Sequence, residues 1–362
     1  MQSDGIYPGV VRVGQHTNSL QPSEYIMAVA VNPDIHMPLS GVARIVTKRQ
    51  GDVAIAGYVD HSELHKVTRT YPGQWNVGKQ LSISGLEEKI RAIYPDNTDF
   101  VGLEDPDIVV DTDGVIHLFF TIPFIGPTNK IYLGHAKGSS LDTLKMQEPV
   151  MRPLNTTTSH GEPFVRGFKE LCPSPPDSTG TSHHLVESND LLESISYSTI
   201  AITNAKSLDG PWEFAGDVVH PAELTTIYAK YVKNNNAYEW CGEHVSPCRL
   251  IPKDFIVSGR YRIGILNGRE RSKDGVYGKF RPGLFLYDPE TGTVPWVDPS
   301  PLFDDLNART IIFASDLVVN EKVIGRPSTI TLMTHIDDSY LQEYQISASI
   351  IKNRLPAFFT NK

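Results

Sequence analysis

The sequence predicts an all-β fold, and three observations predict it. Glycine, proline and aromatic residues are well represented, at 28 Gly, 26 Pro and 9% aromatic. Long runs of apolar residues at helical spacing are scarce, a balance that favours strands and structured loops. Short β-prone runs bounded by turn residues also return in a set order, as an acidic motif, a strand, a turn, a strand and a polar loop. The order recurs at intervals of roughly 60 to 80 residues, with unit starts near Pro38, Glu104, Glu162, Glu243 and Asp316. Five such units fill the 362 residues. That count points to a five-bladed β-propeller of four-stranded sheets, a single domain over residues 1–362. A pair of β-sandwich domains is the competing reading, because it also contains many short strands.

The elements follow in order. Residues 1–25 lack strong periodicity and read as a first strand or a strap. Residues 25–31 form the first clear strand, and the polar loop NPDIHMPLS follows. Residues 41–47 and 52–59 read as strands around a KRQGD turn, and 65–70 adds another. Residues 86–93 carry apolar and acidic side chains at helical spacing and read as a short helix. The stretch GLEDPDIVVDTDGVIHLFFTIP comes next. Two apolar runs joined by a DTDG turn read as a hairpin, with Glu104 and Asp105 at the start of its first strand. Residues 130–136 and 144–149 complete that unit. The pattern returns at HGEPFV, with strand 194–203 and the DGPW turn. It returns again at CGEHVSP, with strands 255–257, 260–266 and 283–287. The last unit comprises residues 311–319, 328–335 and 343–351.

Composition bounds the function. Apolar content of 40% with 21% charged residues is that of a soluble globular protein. A net charge of −9 argues against a nucleic-acid surface, which needs clustered Lys and Arg. No run approaches the length of a membrane span, and MQSDGIYPG lacks a basic and apolar leader. Three cysteines, Cys172, Cys241 and Cys248, form no CxxC pair and leave an odd count, which suits a reducing compartment. A cytoplasmic location is therefore expected, with a leader already removed as the alternative.

In a propeller the first strand of every blade borders the central channel, so acids far apart in sequence converge there. Glu104, Asp105, Glu162, Glu243 and Asp316 share that destination. Carboxylates in one pocket repel, which raises at least one pKa. A protonated carboxyl beside an ionised one is the pair that cleaves a glycosidic bond, by protonating the leaving oxygen while water, phosphate or the sugar carbon is activated. Asp105, Glu162 and Glu243 are the catalytic candidates. Glu104, His160, Arg166, His244, Asp316 and Arg309 are substrate-binding candidates. Each has an ordinary alternative, such as a turn, a strand cap or a surface ion pair. His183-His184 lacks a third ligand at recognisable spacing and reads as a surface loop. DTDG lacks the rest of a calcium loop. Trp75, Trp240 and Tyr238 could stack on sugars or pack in the core. Arg281 and Arg326 could bind an anion or pair with a neighbouring acid. No GxGxxG, GxxxxGK[ST] or GxSxG motif is present in a supporting setting, so no metal or organic cofactor is expected.

GLEDPDIVV resembles the EDPR segment of glycoside hydrolase family 130, the β-mannoside phosphorylases and β-mannosidases. The resemblance implies a five-bladed propeller, an inverting reaction on β-mannosides and an oligosaccharide partner, and leaves homo-oligomerisation open. It makes Asp105 the general acid, with Glu162 and Glu243 as candidate bases in a hydrolase. Position 107 is aspartate where that family usually has arginine, which favours hydrolysis and leaves phosphorolysis as the alternative. LEDPDIVV and SLDGPWE also resemble the arabinanase and xylosidase group of the same fold, whose first-blade base would be Asp34 here. A glycan-binding propeller without activity is a further alternative.

Overall fold

The computed structural model describes residues 10–15, 24–32, 39–158, 161–232, 237–256, 259–320 and 328–357. Within them the chain folds into successive antiparallel sheets joined by loops. Sheet one comprises Tyr25–Val31, Leu39–Gln50, Val59–Tyr71 and Gln74–Gln80. Sheet two pairs Glu104–Val110, Ile116–Ile125, Lys130–Gly138 and Lys145–Met146, and the short Asp99–Phe100 also joins Ile116–Ile125. Sheet three runs through Phe168–Cys172, Ser182–Leu192, Ile195–Ala205 and Glu213–Val219. Sheet four contains His244–Leu250, Arg262–Arg269, Phe280–Asp288 and Thr293–Val297. It meets sheet three through one parallel bridge, Ser198 to His244. Sheet five contains Ile312–Val319, Thr329–Ile336 and Tyr340–Ser347, and its fourth strand is Val10–Gln15 from the opposite end of the chain.

The first strand of each sheet lies beside the first strands of two others, in the order one, two, three, four, five and back to one. Apolar cores fill the spaces between neighbouring sheets in the same order. Ile108, Leu118 and Phe120 of sheet two pack on Val42 and Leu64 of sheet one. Phe119 meets Phe168 and Val186 of sheet three, and Leu185 meets Val245 and Leu266 of sheet four. Ile263 and Leu284 meet Ile312 and Leu332 of sheet five, and Met333 and Leu341 close against Ile26 and Ile45. Each such side chain contributes about 1.5–3 kcal/mol on burial. Because successive residues of a strand face opposite sides, Phe119 and Phe120 serve two different cores.

The sequence reading differs from this arrangement in several places. Residues 52–58 are a loop, and the strand begins at Val59, because Gly51 and Gly57 take left-handed backbone there. Residues 255–256 form a turn, and position 257 lies outside the described residues. The final segment is a strand only to Ser347, whose hydroxyl caps the helix Ala348–Arg354. His183 and His184 sit in a strand, with His184 buried. Trp75, Trp240 and Tyr238 are core residues. All three cysteines are buried and unpaired with one another. Among the described residues no helix is long and apolar enough to cross a membrane.

Candidate active site

Every first strand carries an irregularity at a matching place. In sheet two Glu104 pairs with Thr121 and Asp107 with Phe119, so Asp105 and Pro106 bulge out of register. The equivalent slips leave out Ala28, Glu170, Cys248 and Ser315. Ala28, Asp105 and Glu170 have left-handed backbone, with φ of 36°, 44° and 48°. Such conformations cost on the order of 1–3 kcal/mol each for non-glycine residues. Bulges re-aim side chains, and all five of these residues border one narrow cavity where the first strands converge. Gly102 fixes the approach to this motif. Its φ is 106°, and a Cβ there would stand 1.9 Å from the Ser62 carbonyl oxygen.

A larger pocket of about 180 Å³ opens beside that cavity. Its wall includes Arg44, Asp105, Lys169, Glu170, His244 and Arg269, with Tyr58, His335 and Asp338 on the side of sheets one and five. Arg44 is the hub. Its Nη1 donates to Asp105 at 2.9 Å, its Nη2 donates to Glu104, and its Nε donates to Ser62 at 2.8 Å. On the opposite wall Lys169 Nζ lies 3.3 Å from Glu187 and 3.7 Å from Glu170. His244 Nε2 stands 3.2 Å from the second oxygen of Glu187. Ser246 donates its hydroxyl to Glu170. Arg269 lies on the Tyr277 ring, 4.2 Å from its centre, and donates to Glu243 at 3.1 Å. Its Nε is buried and has no hydrogen-bond partner among the described residues.

A strap bounds the pocket on the side of sheet five. The loop between the second and third strands of sheet one reaches sheet four, where Ala56 N–H donates to Gly275 and Tyr277 N–H donates to Ala54. Beneath it Val53 packs with Phe280 and Ile311.

Burial and neighbouring charges divide the carboxyls into two classes. Burial pushes Glu104 up to about 7 against the pull of Arg44. Burial and the neighbouring Glu187 hold Glu170 well above the usual carboxyl range, and Lys169 only partly offsets them. Burial opposes ionisation of Glu187 too, yet His244 and Lys169 outweigh it and hold that group at about 2. Burial likewise opposes ionisation of Asp338, but His335 and Tyr58 bring it to about 2. Lys169 stays cationic because the ionised Glu187 beside it outweighs its burial. A carboxyl pushed upward, Glu170, thus stands near two pushed downward, Glu187 and Asp338, and such a divergence separates proton-donating from proton-accepting groups.

The predicted site residues separate clearly. Asp105 and His244 line the pocket, and Glu104 stands behind Arg44. Glu243 supports Arg269 and accepts from the Ser272 backbone. Glu162 is exposed, next to the two-stranded ribbon of Leu154–Thr157 and Pro163–Arg166. Arg166 is engaged by Asp190, Asp217 and Ser188. Asp316 accepts from Arg249 and from Val31 N–H. Arg309 is an exposed partner of Asp52. His160, Asp34 and Arg326 lie outside the described residues.

The pocket wall also carries Arg44, Lys169, Glu170, Arg269 and Asp338, none of which is among the candidates expected from the sequence. The third sheet begins at Phe168, after Glu162, so the acid at the bulge is Glu170. The signal was available in KELC, where an acid precedes a short apolar run as in EDPDIVV.

No family model matches this chain, and no curated protein sequence matches it. Solved structures do. The β-1,2-mannobiose phosphorylase from Listeria innocua, solved with β-1,2-mannobiose, aligns over 96% of this chain and 99% of its own, with a TM-score of 0.61 and 11% identity. MPT-4, a mannose phosphorylase from Leishmania mexicana in complex with phosphate, aligns over 96% and 91%, with a TM-score of 0.51 and 12% identity. Zg3597, a family 117 glycoside hydrolase from Zobellia galactanivorans, aligns over 99% and 94%, with a TM-score of 0.51 and 11% identity. At these identities the likeness is one of fold, shared with several carbohydrate-active enzymes.

Proposed function

We propose that the chain is a single five-bladed β-propeller enzyme, an inverting glycoside phosphorylase acting on β-mannosides or related oligosaccharides. The cyclic order of first strands and the five intervening cores support the propeller. The observation that carries the reaction is the state of the second pocket carboxyl. Hydrolysis with inversion needs a general base to deprotonate water. Glu170, beside Asp105 on the pocket wall, is pushed well above the usual carboxyl range by burial and Glu187, which favours its proton-bearing form. Asp338 is a weak base, since Tyr58 donates to it at 2.8 Å and His335 lies 2.9 Å away. Phosphate is already a nucleophile and requires no such base. The cations of Arg44, Lys169 and Arg269 suit a dianion, although each also serves a carboxylate.

In this reading Asp105 gives a proton to the glycosidic oxygen, directly or through a sugar hydroxyl, and the C1–O bond breaks. A phosphate oxygen bonds to C1 from the opposite face, and the hydrogen of hydrogen phosphate restores Asp105 over the cycle. Glu170 donates a hydrogen bond to sugar or phosphate. Glu162 and Glu243 have no place as bases, one being exposed and the other committed to Arg269.

The test is product analysis on manno-, arabino- and xylo-oligosaccharides with and without phosphate. A sugar 1-phosphate from a mannoside is expected. Equal release of free sugar in both conditions would establish hydrolysis instead, and inertness toward every glycoside would leave a binding propeller.

A further inference from the structure

A second cluster, independent of the glycoside reading, lies away from the pocket between sheets two and three. His117 is the second residue of Ile116–Ile125, and His135 lies on the neighbouring strand Lys130–Gly138, paired with Phe119. Asp209 comes from the SLDGPWE turn that joins Ile195–Ala205 to Glu213–Val219 in sheet three. One ligand atom from each of the three can be chosen so that all lie within 4.8 Å of one another. Both histidines are buried, whereas Asp209 is exposed. We propose that His117, His135 and Asp209 bind a zinc ion that staples the sheet-three turn to sheet two.

The donors suit that ion. Two imidazoles and a carboxylate form a borderline set that favours zinc over magnesium or calcium, and a water completes four-coordination. His117 Nδ1 faces His135 Nε2 at 3.0 Å. In the metal-free protein these atoms share a proton, and zinc takes its place. Tetrahedral ligands stand about 3.3–3.5 Å apart for zinc–nitrogen bonds of about 2.0–2.1 Å. The rings must therefore tilt and separate by a few tenths of an ångström, and Asp209 must draw in from the solvent side.

The outer shell is already built on the His117 side. His117 Nε2 lies 3.3 Å from Asp111 Oδ2. Asp111 is held by the Asp113 and Val115 backbone N–H groups at 2.9 and 2.8 Å. A carboxylate on the outer nitrogen fixes the ring and raises its basicity toward a metal. His135 Nδ1 is buried without a hydrogen-bond partner among the described residues, which leaves that ring free of a competing tether. Trp212, three residues after Asp209, packs on Phe119 at 5.2 Å and on His184 at 4.7 Å, so the turn is seated where the metal would hold it. One group competes: Lys137 Nζ contacts both oxygens of Asp209 at 2.7 and 2.9 Å. Zinc must displace it from at least one of them.

The full chain, stripped with EDTA and dialysed, is titrated with zinc by calorimetry and followed by thermal unfolding. One equivalent is expected to bind with micromolar or tighter affinity and to raise Tm, because a ligand selective for the folded state stabilises it. Cobalt is expected to give the visible absorption of a tetrahedral nitrogen and oxygen site. Asp209→Ala, at an exposed turn position, should weaken binding at least tenfold while the metal-free Tm changes little. Lys137→Met should tighten binding severalfold. Binding weaker than millimolar in the unsubstituted protein would overturn the proposal, as would undiminished affinity in a folded Asp209→Ala variant.

Discussion

Asp105 and Asp107 sit on the same strand, separated only by Pro106, and their surroundings differ in kind. Asp105 is lifted by a bulge into an open pocket and held by Arg44. Asp107 returns to regular pairing and points into the packed centre, where it accepts from the Leu171 backbone N–H at 2.8 Å. Nearby, Arg249 makes a two-point contact with Asp316 at 2.8 and 3.0 Å, and Asp316 also accepts from Val31 N–H at 2.8 Å. Similar acid and arginine chemistry thus ties the sheets together on one side of the bulge. On the other side it leaves groups facing a space that a substrate could fill. A one-residue slip in register decides which role an aspartate takes.

The difference predicts separable losses. Asp105→Asn should lower turnover by about 10²–10⁴-fold, the usual worth of a general acid, while Tm moves little. A variant retaining normal turnover would remove Asp105 from the chemistry. Arg249→Met should do the reverse. It leaves Asp316 buried without its cation, a change worth about 3–5 kcal/mol, so denaturant unfolding should show a large loss of stability. Turnover per folded molecule should persist.

The pH dependence of stability should also differ in sign between the two regions. Burial, only partly offset by Arg249, raises Asp107 from 3.8 to about 8. Between those values the folded chain holds a proton that the unfolded chain releases, so this group's contribution falls as pH rises. Asp338 in the pocket is lowered from 3.8 to about 2. Its contribution is present above the unfolded value and is lost as pH falls toward 2. Asp107→Asn should therefore flatten the decline on the neutral limb, and Asp338→Asn the decline on the acid limb. Denaturant melts across pH check both, and the same slope change from either substitution would contradict the contrast. Arg309→Ala breaks only an exposed pair with Asp52 and should alter neither Tm nor turnover measurably.

Much of the fold could be read from the chain because local chemistry carried it. The helix Leu86–Ile93 and the hairpin around DTDG follow from periodicity and turn residues. The pairing of Val10–Gln15 with Tyr340–Ser347 could not be read, since it joins opposite ends of the chain and has no local signal. The candidate pocket was legible at Asp105, which lines it and where two acids and a proline crowd a strand start. It was hidden at Arg44 and Lys169, which look like ordinary charges on strands until the sheets assemble. Glu162 and Glu243 resemble Asp105 in sequence, but Glu162 precedes the first strand of sheet three and Glu243 that of sheet four, and neither lies at a bulge. Only register distinguishes them.

The most direct measurement is NMR of the first-formed product from a β-mannoside and phosphate, with the Asp105→Asn protein in parallel. Attack from the opposite face predicts α-mannose 1-phosphate, accumulating with the unsubstituted protein and nearly absent with Asp105→Asn. A β-configured sugar phosphate, or free mannose as the sole product at saturating phosphate, would contradict the proposed reaction.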